Sequence, residues 1–209
     1  MKDRIVALPA GRSRPLAVQC ALLIVTLACA GRAAAQDTES SRCGDLAHSM
    51  LGKWPDSSTR IVVAVLRPQG PFTPPTQPGA PPSSGPVLLP EHCEVVGVQH
   101  ERLGAGGQHY SINFHLRLPT RWNGRFFFQG GGGFDGVVGD ALGSTASTAP
   151  PAIVQGFAVV SQDSGHDSST NADPARGGQA AFGFDPQARA DYGHASLKVV
   201  SDAAGCLIG

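Results

Sequence analysis

No serine in this 209-residue chain stands in a Gly-x-Ser-x-Gly turn, so no nucleophile elbow can be assigned in it. No Lys-Ser or Lys-Thr follows the glycine run at 130–133, which excludes a Walker-type phosphate loop. No His-x-x-x-His or comparable ligand spacing occurs, so no sequence motif marks a metal centre. Charge is sparse as well, at 15% of residues with a formal net charge of zero, and nothing in that balance points to nucleic acid. The apolar run at 16–30 is broken by Gln19 and Thr26 and is a poor match to the ~20 apolar residues that span a bilayer, so no stable membrane anchor is expected. No internal repeat is present, which excludes a solenoid.

What the N-terminus does have is the pattern of an export leader. Lys2, Arg4, Arg12 and Arg14 precede the short apolar run, and Ala33-Ala34-Ala35 follows it as a small-residue cleavage site. Residues 1–35 are therefore expected to be a signal peptide, with 36–209 as the exported part. Thr26-Leu27-Ala28-Cys29 is a weaker, lipoprotein-like alternative. Cleavage would remove five of 16 basic residues and one of 16 acidic ones, leaving a net charge of −4. It would also leave three cysteines, Cys43, Cys93 and Cys206. An oxidising, secreted or periplasmic setting favours a Cys43–Cys93 pair with Cys206 left odd, the alternative being buried free thiols.

Local patterns describe an α/β protein. Leu46, Ala47, Met50 and Leu51 recur at helical spacing, and residues 60–66 form a β-branched strand. Residues 68–90 hold nine of the 17 prolines and read as a polyproline-type surface loop. Tyr110, Ile112, Phe114, Leu116 and Leu118 alternate with Ser111, Asn113, His115 and Arg117, which predicts a half-buried strand with His115 facing solvent. Asn123-Gly124 turns into Phe126-Phe127-Phe128, a continuous apolar run expected to be a strand buried on both faces. Residues 139–151, rich in Gly, Ser and Thr and closed by Pro150-Pro151, argue against a long helix. A second buried strand at 157–161 ends in Asp163-Ser164-Gly165-His166-Asp167. Asp185-Pro186 then caps a helix whose apolar face is predicted at Ala188, Tyr192, Ala195 and Val199. Strand, glycine loop, strand, polar loop and helix place function at the carboxyl ends of the strands.

Three chemistries compete for the glycine loop. Gly131-Gly132-Gly133-Phe134-Asp135-Gly136 fits G-x-G-x-x-G, with Asp163 as a ribose ligand, but the helix that should follow is interrupted by glycines and prolines. Asp163, His166, Asp167 and Asp173 are a candidate metal set, against which stands the habit of short polar side chains to cap turns. The third reading is an oxyanion hole, in which a glycine-rich loop after an early strand donates one backbone N–H to a tetrahedral intermediate.

Several separate motifs favour the third reading. Leu89-Pro90-Glu91-His92-Cys93-Glu94-Val95, Leu118-Pro119, Trp122-Asn123-Gly124-Arg125-Phe126, the glycine loop, residues 163–167, and 181–189 with Asp191-Tyr192-Gly193 resemble the tannase/feruloyl esterase family. The resemblance implies a secreted or periplasmic α/β-hydrolase with a lid, cleaving aromatic carboxylic esters through a serine–histidine–aspartate triad. It implies that Gly133 is the backbone oxyanion donor and that Cys43 and Cys93 match an N-terminal disulfide. His92-Cys93 matches a non-catalytic segment. Gly205-Cys206-Leu207-Ile208-Gly209 imitates the nucleophile motif with Leu207 in the place of serine. On this resemblance the serine, acid, catalytic histidine, lid and calcium site lie beyond residue 209. The chain is then the N-terminal part of the hydrolase, with no cofactor of its own and a small aromatic ester as substrate. A secreted, non-enzymatic remnant or binding module is the alternative.

Overall fold

The computed structural model describes residues 41–46, 52–74, 85–144 and 149–209, all within one compact unit, Glu39–Gly209. The leader, with Cys29, and the helical positions Ala47, Met50 and Leu51 lie outside the described residues, as does the middle of the proline-rich stretch.

The unit is built on a five-stranded mixed sheet. In chain order the strands are β1 (Arg60–Arg67), β2 (Gly70–Phe72), β3 (Val87–Leu89), β4 (His92–Leu103), β5 (His109–Pro119), β6 (Phe126–Gln129) and β7 (Ala158–Gln162). The main sheet runs β1-β4-β5-β7-β6. Neighbours are antiparallel except β6 and β7, which are parallel and so end on the same side. β2 and β3 pair as a small antiparallel ribbon, with Leu89 buried and Phe72 and Val87 packed against the core. The ends of the proline-rich segment are thus packed structure, contrary to the surface-loop expectation. Pro71 and Pro86 did not prevent it, because a ribbon of three residues per strand needs few backbone N–H donors.

The alternation in β5 does what its period predicts on one face. Ile112, Phe114 and Leu116 are fully buried, each contributing about 1.5–3 kcal/mol. Opposite Phe114 in the register stands Gly97, where a Cβ would meet the Phe114 ring at 2.2 Å, so β4 accepts only glycine there. The other face is not solvent. Arg117 is buried and Ser111, Asn113 and His115 are half-buried beneath the segment after the glycine loop.

The aromatic strand is corrected too. β7, not β6, takes the interior place, and all five of its residues are buried. β6 lies at the edge, with Phe126 40% exposed and Phe127 to Gln129 half-buried. Residues 139–144 and 149–151 contain no helix, as expected.

The C-terminal helix starts as predicted, with the Asp185 carboxylate accepting from the Ala188 amide at 2.8 Å and proline in the first turn. It comprises α1 (Pro186–Ala190), a π turn (Asp191–Ala195) and α2 (Ser196–Ile208). The extra residue of the π turn centres the buried face on Ser196, Val200, Ala203, Ala204 and Leu207, so Val199 packs half-buried at the edge of the core and Tyr192 is not a core position. α2 packs with Val95, Ile112, Phe114 and Leu116 of the sheet, together with Cys43 and Cys93.

Candidate active site

Because β6 and β7 are parallel, the glycine loop and the polar loop after β7 emerge side by side, and they are tied together. Ser164 Oγ donates to Asp135 Oδ2 at 2.5 Å. Ser164 and Asp135 both adopt left-handed backbone, φ 61° and 57°. Burial raises the Asp135 carboxyl above the usual range, and the Ser164 bond counters that. Gly131 is the seat of this carboxylate, since a Cβ there would lie 1.9 Å from Asp135 Oδ1. Gly136, at φ +80°, lets His166 and Ser168 close in, with His166 Nε2 2.8 Å from where its Cβ would be.

Gly133 sits at the exposed crest at φ +61°, with nothing within 4 Å of a hypothetical Cβ. Its N–H and that of Phe134 donate to no partner among the described residues. Both residues line an open cleft of about 820 Å³, together with Phe72, His115, Arg117, Val137 and Val138.

His115 and Arg117, which line that cleft, belong to a polar layer on β4 and β5 in which Arg117 and His92 are buried and Glu94 and His115 half-buried. Arg117 Nε donates to the Asp140 carbonyl at 2.9 Å, its Nη1 to His92 Nε2 at 2.7 Å, and its Nη2 lies 3.4 Å from Glu94 Oε1. His92 Nδ1 in turn donates to the Pro90 carbonyl at 2.7 Å. Burial, with the Arg117 guanidinium, lowers the His92 pKa, in keeping with a neutral ring that accepts from arginine. His115 lies between Glu94 Oε1 at 3.0 Å and the Gly139 carbonyl at 3.2 Å, and burial followed by Arg117 lowers its pKa as well. His115 is therefore engaged in holding the segment after the glycine loop and does not point to solvent.

The candidate metal set does not assemble. Asp163, only 2% exposed, accepts from Asn113 N, Asn113 Nδ2 and Gly165 N at 3.0, 2.5 and 3.0 Å. Asp167 accepts from Ser169 and Asp173 from Ala175 N, as turn caps. His166 stacks on Phe182 at 3.7 Å, and neither ring nitrogen makes a well-formed hydrogen bond; burial lowers its pKa, partly countered by the nearby Ser164 and Phe134 backbone. No group of three metal-ligating side chains is present among the described residues. No helix starts among the described residues 137–144, so the loop does not lead directly into the helix N-terminus that a dinucleotide fingerprint requires. Among the described residues no helix is long and apolar enough to cross a membrane. Cys43 and Cys93 are disulfide-bonded, and Cys206 is free within α2.

Sequence reasoning missed the Asp135–Ser164 tie and the Glu94–His115–Arg117 layer. The one available signal was a string of polar residues at alternate positions of β5, and alternation says nothing about what covers the polar face.

A glycine-rich loop and a polar loop at the ends of two parallel strands, on a mixed sheet backed by a helix, fit part of an α/β-hydrolase-type fold. Two solved structures share the fold. An esterase from Aspergillus oryzae matches with a TM-score of 0.51 at 20% identity, over 81% of this chain and 30% of that one. Feruloyl esterase B from Aspergillus oryzae matches with a TM-score of 0.50 at 18% identity, over 76% and 26%. The profile of the tannase and feruloyl esterase family matches residues 93–209, and the chain belongs to that family. It is 40% identical over 151 residues to the mono(2-hydroxyethyl) terephthalate hydrolase of Piscinibacter sakaiensis, a match that spans 72% of this chain and 23% of that protein.

Proposed function

We propose that the chain contributes the oxyanion-binding part of a secreted or periplasmic carboxylic ester hydrolase that acts on aromatic esters through a Ser-His-Asp triad. The observation that carries this reading is the pair of N–H groups at Gly133 and Phe134, without partners among the described residues, in a loop that follows β6 and lines a cleft. Gly133 supplies the backbone donor to the tetrahedral intermediate. No serine of the chain stands in a Gly-x-Ser-x-Gly turn, and we place the nucleophile in the part of the relatives that this chain does not cover. The outer edge of β6 suits it: a parallel strand added there would deliver a serine turn beside the glycine crest. Export accords with the Cys43–Cys93 disulfide. Cleavage near Gln36 would be read by N-terminal sequencing of exported material, and an intact Met1 would defeat it.

The test is a graft. Residues 93–209 replace the matching segment of the Piscinibacter hydrolase, and turnover of mono(2-hydroxyethyl) terephthalate, methyl ferulate and a gallate ester is measured. The folded graft should be active, and Gly133→Pro, which removes the N–H and also cannot hold the left-handed backbone at 133, should lower kcat by at least about 10²–10³. The 209-residue chain alone should hydrolyse none of the three esters. A folded but inert graft would favour a binding module, and turnover by the isolated chain would mean that the nucleophile has been misplaced.

A further inference from the structure

The two peptide planes on either side of Gly133 are each fixed by one hydrogen bond, from different parts of the chain. The carbonyl of Gly132 accepts from Asp135 N at 2.9 Å. The carbonyl of Gly133 accepts from the phenolic hydroxyl of Tyr192 at 2.9 Å, across 59 residues of sequence. In a trans peptide the N–H points opposite to the C=O. Holding the Gly132 oxygen therefore aims the Gly133 N–H, and holding the Gly133 oxygen aims the Phe134 N–H.

The first bond lies within the loop and the second comes from the helix. We infer that Tyr192 is a positioning residue for the oxyanion loop, an inference that rests on the oxyanion reading of Gly133. The helix is deformed at this residue. In the π turn the Asp191 carbonyl accepts from both the amide and the hydroxyl of Ser196, the latter at 2.7 Å, and the turn carries Tyr192 off the buried face. Buried Asp191 anchors the turn, with Gly165 so close that a Cβ there would lie 2.5 Å from Asp191 Cβ. The Tyr192 ring then leans on Phe182, centroids 5.1 Å apart, and edge-on to His166 at 6.0 Å. Phe182 and His166 are buried and stacked, so the ring is seated on one side while its hydroxyl reaches the crest. Glycine at 133 has no side chain to hold its own conformation, so the constraint must come from outside.

The experiment uses the 209-residue chain and needs no turnover. Backbone amide relaxation is measured for the chain and for Tyr192→Phe, which keeps the ring and removes the hydroxyl. In the unaltered chain Gly133 and Phe134 should have order parameters of about 0.85, falling below about 0.6 in the variant. Exchange of the Asp135 amide should accelerate roughly tenfold, while the melting temperature stays within about 2 °C. In the unaltered chain the Gly133 carbonyl carbon should also show a deuterium isotope shift from the Tyr192 hydroxyl, a reading that does not depend on the variant folding. Unchanged order at Gly133 and Phe134 in Tyr192→Phe, or no isotope shift, would overturn the inference. Loop order is read apart from catalysis, so an inert graft with a stiffened crest would overturn the oxyanion reading and leave the role of Tyr192 standing.

Discussion

Asp163 shows how one side chain can be wrongly placed by its chemistry and correctly placed by its burial. A carboxylate at the end of a strand beside glycines invites a ligand, yet this one is spent joining β5 to the loop after β7 through Asn113 and Gly165. Burial dominates its titration and pushes the pKa up to about 7, against the three hydrogen bonds that favour the ionised form. The folded state therefore binds this proton more tightly than the unfolded chain does. The group's stabilising contribution is complete below an unfolded value near 3.8 and is lost as pH rises through about 7. Urea denaturation of the chain and of Asp163→Asn at pH 4.5, 5.5 and 7.5 should thus give a difference that changes with pH. The unaltered chain should lose stability relative to the variant by up to about 1.4 kcal/mol per unit across that window. A pH-independent difference would place the ionised carboxylate in the fold at every pH tested. Gly131 belongs to the same scale, because its missing Cβ is what lets Asp135 reach Ser164.

At the scale of elements, what was legible followed from period and capping. The alternation of 110–118, the buried strand at 157–161 and the Asp185-Pro186 helix start all reflect local rules, and all are present. Three features were hidden. β4 was unreadable because Gly97, Gln99 and His100 break its β-branched run, although Gly97 is the residue that admits the Phe114 ring. The β2–β3 ribbon was masked by its prolines, and the π turn has no sequence signature, so the predicted helix face was displaced beyond residue 191. Parallel pairing of β6 with β7, which creates the candidate site, depends on strand order, and no local pattern reports that order. The Cys43–Cys93 disulfide is where the sequence expectation and the structure agree. It joins the helical turn at 41–46 to the start of β4, beside Leu207 and Ile208 of α2. A link across a sequence separation of 50 should stabilise by about 4 kcal/mol on the chain-entropy model. Non-reducing peptide mapping should recover the linked pair, and Cys43→Ser with Cys93→Ser should lower the urea midpoint accordingly. Two freely alkylated thiols in material never exposed to reductant would contradict the pairing.

Across the whole unit, the sheet is covered unevenly. α2 and the disulfide segment close one face over Val95, Ile112, Phe114 and Leu116. The other face carries the charged layer and a second cluster made of Leu89, Ala141, Leu142, Ile153 and Val159, most of it loop. The two strands read from sequence as equally buried differ sharply within this arrangement. β7 is hydrogen-bonded on both sides, to β5 and β6, and none of its five residues is exposed. β6 is bonded on one side only, and Phe126 and Phe128 meet edge to face at its outer end, 6.5 Å apart, with Phe126 40% exposed. An edge with free backbone groups and apolar side chains opens at low cost, and it is also the surface on which another strand would pair. Native-state hydrogen exchange should therefore divide the parallel pair. Amides of β5 and β7 should open only with global unfolding, whereas the β6 amides directed away from β7 should exchange near the rate of unstructured peptide. Occupation of that edge by the nucleophile strand of the grafted hydrolase should bring the β6 amides into the protected set. Strong protection of all β6 amides in the 209-residue chain would show that the edge is already covered, and the place proposed for the serine strand would be lost.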